Sequence, residues 1–107
     1  MARLGGVSTF YSTSILVGIG DKISIATNST QRAVVTKDGD IGFGVSQPKS
    51  KLHVSGAIQI ADDTASASAD KEGAIRYRKN TNNSYVEMCM QTGASTYAWV
   101  IIKQNTW

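Results

Sequence analysis

The chain has 107 residues, 41% of them hydrophobic and 18% charged, with a formal net charge of +3. That length makes one domain rather than two, and the charge falls short of the dense basic patch of a dedicated nucleic-acid binder. One cysteine, Cys89, excludes an intrachain disulfide framework. One histidine and two glutamates leave little from which to assemble a catalytic set.

The apolar residues are unusual in kind. Only three are leucine (Leu4, Leu16, Leu52), and much of the rest is Ala, Val and Ile. Small and β-branched side chains favour strands and make a thin core, which copies of the same chain would complete. No apolar run reaches the roughly 18 residues of a membrane span, and the polar, glycine-interrupted start at Met1–Gly6 predicts neither a secretory leader nor an anchor.

In chain order, residues 1–13 set Gly, Ser and Thr around Phe10 and Tyr11 and read as an irregular arm that attaches to another surface. Residues 14–19 (SILVGI) predict a short buried strand. Residues 22–26 alternate with period two until Asn28-Ser29-Thr30 interrupts them, and 33–36 predict another strand. Asp38-Gly39 then signals a type I′ hairpin turn. Beyond it, Ile41, Phe43 and Val45 fall on one face, and Gly42 and Gly44 leave the other bare for the close approach of a second backbone. Pro48 ends that strand. Leu52, Val54, Ile58 and Ile60 share a parity through Gly56, predicting half-buried strands kinked at the glycine.

Residues 61–70 are small and acidic, with room for one helical turn and no apolar stripe. In the second half, 74–78 alternate with Ile75 and Tyr77 inward. Val86, Met88 and Met90 oppose Tyr85, Glu87, Cys89 and Gln91, and 96–102 (TYAWVII) are apolar on both faces, as in a strand covered twice. No segment sustains a helical period. The expected fold is all-β, short strands and hairpins in a small sandwich or prism. It divides into an arm (1–13), a glycine-spaced module (14–60), an acidic linker (61–72) and a C-terminal module (73–107) within a single compact unit.

Two blocks carry a resemblance. Asp38 to Gly44, Pro48 and Leu52-His53-Val54-Ser55-Gly56 resemble the recurring DG-x-(V/I)-G-I-G-T…P…L-H-V-x-G unit of bacteriophage tail-fibre and head-fibre proteins. Gly73-Ala74-Ile75-Arg76-Tyr77, with Asn82-Asn83, Tyr85-Val86-Glu87, Gly93 and Ala98-Trp99-Val100, is similar to the G-T-(I/L)-R-Y…W-V segment that often follows. The chain departs from the pattern at Phe43 and Val45, where isoleucine and threonine are usual. The resemblance implies an intertwined homotrimer on the virion, on capsid or tail, in contact with other virion proteins. A long shaft and a self-cleaving chaperone region are missing from the pattern, which favours a capsid decoration protein or a short fibre.

The remaining residues fit that non-enzymatic expectation. His53 lies on the polar parity of its strand and reads as a surface or hydrogen-bonded histidine, with an axial metal in a trimer as the rarer alternative. Cys89 reads as a small packing residue. Asp38 and Asp40 lack the rest of a calcium loop. Lys71, Arg76, Arg78 and Lys79 form a basic cluster balanced by Asp62, Asp63 and Asp70, with no interleaved stacking aromatics of the kind single-strand binders use. The expected subunit-interface residues are Gly42, Gly44, Leu52, Val54, Ile58, Ile60, Trp99 and Trp107, the last docking on a neighbouring subunit. Phe10 and Tyr11 are the expected particle contacts. No cofactor, nucleic acid or membrane is implied. The rival reading is a receptor-binding fibre tip that stacks a host surface glycan on Tyr, Trp and Arg side chains.

Overall fold

The computed structural model describes residues 15–107, with side chains from residue 20 onward. The expected arm, with Phe10 and Tyr11, lies outside the described residues. Eight strands and one three-residue 3-10 turn make up the regular structure of the described residues, and their fold is all-β. None of the described helical residues forms a helix long and apolar enough to cross a membrane. The chain divides into two compact units, residues 1–58 and 59–107.

The first unit is a five-stranded sheet in sequence order: β1 (Ile15–Ile19), β2 (Lys22–Thr27), β3 (Thr30–Val35), β4 (Ile41–Phe43) and β5 (Leu52–Val54). The first three junctions are antiparallel, whereas β5 runs parallel to β4 after the Pro48 corner. The first two turns are two-residue loops whose central residues all have positive φ: Gly20 (59°) and Asp21 (66°), then Asn28 (50°) and Ser29 (60°). These are the conformations that match hairpin twist.

At Asp38-Gly39, where the type I′ turn is expected, the chain does something else. Gly39 N–H donates to Thr36 C=O and Thr36 N–H to Asp40 C=O, both at 2.9 Å. Gly39 alone has positive φ, 88°. This is a three-residue loop with a type I turn closed by a left-handed glycine.

Two strands are shorter than their alternation predicts. Gly44, with φ of 72°, turns the chain out of β4, so Val45 leaves the side of Ile41 and Phe43 and lays its carbonyl over Gly42 on the opposite face. With β4 ended there, the last ladder bond to β5 is Ser55 N–H to Phe43 C=O. Residues 55–60 therefore have no strand to pair with and run irregularly.

The second unit is an antiparallel meander of β6 (Ile75–Asn80), β7 (Asn83–Gln91) and β8 (Tyr97–Thr106). The turn Ala69–Lys71 sits in the preceding link. β8 outruns its apolar stretch because Lys103, Asn105 and Thr106 find partners in Val86, Ser84 and Asn83, past a bulge between Val86 and Glu87. The acidic link packs with this unit: Asp63 and Ala65 carbonyls accept from Arg76 Nη1 and Trp99 Nε1, and Tyr77 N–H bonds to Ala61 C=O.

Candidate functional site

Cross-strand register decides which residues share a face. In the first unit it aligns two rows of four, Ile23–Val35–Ile41–Leu52 and Ile25–Ala33–Phe43–Val54. The rows continue in register to Gly18 and Leu16 of β1. All eight residues from β2 to β5 are apolar, yet of these only Ala33 is buried; Phe43 is 49% and Leu52 54% exposed. On the opposite face Ser24, Val34, Gly42 and His53 align. There Val34 and Gly42 are buried. A β-carbon added to Gly42 would collide with the Val45 carbonyl. The room beside this glycine is thus filled by its own chain. The apolar face is the open one.

The second unit repeats the asymmetry. One face carries Ile75, Met88 and Val100, with Tyr77, Val86, Met90 and Ala98 beside them. Ile75, Tyr77, Val86 and Met90 are exposed, so the strand expected to be covered twice is covered on one side, and Ile75 and Tyr77, expected inward, are bare.

The covered side is the charged one. Glu87, 2% exposed, accepts from Arg76 Nε at 2.9 Å and from Arg78 Nε and Nη2 at 3.0 Å each. Arg76 stacks on Trp99 and Arg78 on Tyr85, each 4.1 Å from the ring centroid. Arg76 Nη1 reaches the Asp63 carbonyl at 2.7 Å, Trp99 Nε1 donates to the Ala65 carbonyl at 3.0 Å, and buried Cys89 places Sγ 3.6 Å from the Ser68 carbonyl. The link is a strap over this face.

The electrostatics follow from these contacts. Hydrogen bonds from Arg78, with the one from Arg76 behind them, hold the Glu87 carboxyl below the ordinary glutamate range against the opposing effect of desolvation. The same bonding from Glu87 raises the Arg78 pKa. Asp63 is lowered by the Lys71 ammonium, 2.7 Å away, and by the Ala65 N–H.

The expected interface residues separate into three groups. Leu52 and Val54 lie on the open apolar face of the first sheet. Ile58 and Ile60 are exposed on irregular chain rather than on a strand, and Trp107 is 58% exposed with Lys79 Nζ 5.9 Å from its ring. Gly42, Gly44 and Trp99 make contacts inside the chain: Gly44 N–H bonds to Arg32 C=O, and Trp99 is held by Arg76 and Ala65.

His53 Nδ1 accepts the Lys49 N–H at 3.1 Å. Asp40 lies 3.9 Å from Lys51. Among the described residues no group of three His, Cys, Asp or Glu side chains is placed to hold a metal ion. Sequence reasoning missed Glu87 as the centre of the charged face. Its parity with Cys89 and Tyr85 is readable, but its pairing with Arg76 emerges only from the β6–β7 register.

The chain matches no family model, no curated protein and no solved structure at a significant level.

Proposed function

We propose that this chain is a bacteriophage virion structural protein that performs no catalysis: a homotrimeric capsid decoration protein, or a short head or tail fibre, built by sharing its open sheet faces among three copies. The single observation that carries the reading is the pair of rows from Ile23 to Leu52 and from Ile25 to Val54, eight apolar residues of which only Ala33 is buried. Among the described residues the buried hydrophobic side chains are only Ala33, Val34 and Cys89. So small a core leaves most of the apolar surface in water, which a domain of this size avoids by oligomerising. The fibre-like blocks 38–56 and 73–100 supply the virion setting, and a three-fold assembly closes without leaving an open interface.

The mechanism is assembly. Water leaves the apolar faces as copies meet, and the strap side, saturated with internal hydrogen bonds, stays turned outward. Docking on capsid or tail proteins falls to surfaces outside the shared faces. Electron microscopy of intact particles tests this: density for three copies per site, at tens to hundreds of copies for a decoration or a handful for a tail fibre, is expected. Absence of the protein from purified particles overturns the reading.

A second reading, a fibre tip that recognises a host surface glycan, rests on exposed Trp107 beside Lys79. Glycan binding that Trp107→Ala abolishes supports it. Trp99, Tyr85 and both arginines are already engaged with one another and with the strap, which leaves Trp107 to supply the stacking surface.

A further inference from the structure

The two edges of the second sheet are treated differently. Outside β6, Tyr77 N–H is bonded to Ala61 C=O. Outside β8, the longest strand at ten residues, no backbone hydrogen bond is made among the described residues. Monomeric proteins protect such edges with prolines, several charges or a covering segment. β8 has no proline, and its one charge is Lys103.

Which groups face outward can be worked out. Thr92 N–H donates to Thr96 C=O and Trp107 N–H to Asn82 C=O, so residues 96 and 107 turn their backbone toward β7. Alternation from both ends, with the bulge absorbing one residue opposite Val86/Glu87, turns Tyr97, Trp99, Ile101, Gln104 and Thr106 outward.

Apart from the bulged pair Ile101–Ile102 itself, that pattern reads the same from either end about a point between those two residues. Reversed against itself, the edge sets Tyr97 opposite Thr106 of the partner subunit and Trp99 opposite Gln104 of the partner subunit, each pair with free donors and acceptors. Val100 then meets Lys103 of the partner subunit, so the two lysines are not opposed. Ala98, Val100, Lys103 and Asn105 all lie on the apolar face of their own sheet, so the two apolar faces run on continuously.

We propose that β8 pairs antiparallel with β8 of a second copy of this chain, about a two-fold axis between Ile101 and Ile102, joining two three-stranded sheets into one of six. This pairing goes beyond the sharing of apolar faces and does not depend on how many copies share them. In a trimeric protein it links one trimer to the next.

The test uses the full chain with Cys89→Ala as background. Val100→Cys with Lys103→Cys places cysteines opposite each other at non-hydrogen-bonded positions, within the reach of a disulfide. Mild oxidation at micromolar concentration is expected to give a covalently joined pair that reductant reverses. In a separate variant, Gln104→Pro removes one outward N–H and spares the β7 ladder, and is expected to halve the native mass. The halved mass also separates the two claims. Three copies per half agree with the proposed trimer, whereas one copy per half keeps the β8 pairing and removes the trimer. A folded cysteine variant that forms no joined pair overturns the β8 pairing, whatever the proline variant does.

Discussion

Arg78 meets Glu87 fork to fork, Nε to Oε1 and Nη2 to Oε2, each at 3.0 Å. Arg76 adds a third bond to the same carboxylate from the same strand. A carboxylate this enclosed is held in place by its partners and is costly to leave unpaired.

Glu87→Gln is expected to destabilise the protein by about 2 kcal/mol, between the values for buried and exposed pairs because Arg78 keeps contact with water. Because the folded state holds the Glu87 carboxyl below its unfolded value, its contribution is complete above the ordinary glutamate range near pH 4.3 and is lost as pH falls through the lower folded value. Thermal melts from pH 7 to pH 2 are expected to show the wild type losing its advantage over Glu87→Gln only in the acid limb.

Gly42→Ala is expected to cost about 2 kcal/mol, because the added methyl meets the Val45 carbonyl and the Val34 side chain in a buried position. The glycine at position 20 is a useful contrast. Nothing lies within 4 Å of a β-carbon there, so the cost of Gly20→Ala comes from its φ of 59° alone. Urea denaturation of the two variants separates a packing collision from backbone strain.

Thr81 holds a φ of 52°, a conformation disfavoured for a β-branched residue. Thr81→Gly is expected to relieve this strain and raise stability by up to about 1 kcal/mol, the left-handed penalty less the entropy cost of glycine. A drop in melting temperature would contradict it.

Much of the fold is legible in the sequence because period-two alternation directly reports strands. All eight strands fall on stretches whose alternation or apolar run predicts one, and the differences lie in where the strands end. The failures are particular. Val45 continues the alternation of Ile41 and Phe43, but a left-handed Gly44 overrides it, and no pattern in the sequence distinguishes that glycine from Gly42. Ile58 and Ile60 keep the parity of a strand that has no partner. The tail of β8 is polar on the page and becomes a strand through pairing with β7 alone. The open apolar faces are only half legible: alternation gives the face, whereas its exposure depends on which side the Val45 loop and the 61–71 strap take.

Phe43→Ser and Leu52→Ser discriminate between a lone chain and an assembly. On a monomer's surface such changes are near neutral, within about 0.5 kcal/mol. In a shared core each is expected to cost about 1.5–3 kcal/mol per copy and to make the melting temperature depend more steeply on protein concentration. Melts at several protein concentrations read both effects.

The most direct measurement is the native mass of the full chain by sedimentation equilibrium at micromolar concentration. One chain weighs 11.4 kDa. Shared apolar faces predict a multiple of three such masses, and no folded species at the mass of one. A single-chain mass with a cooperative, concentration-independent melt would contradict the assembly on which the proposed function depends.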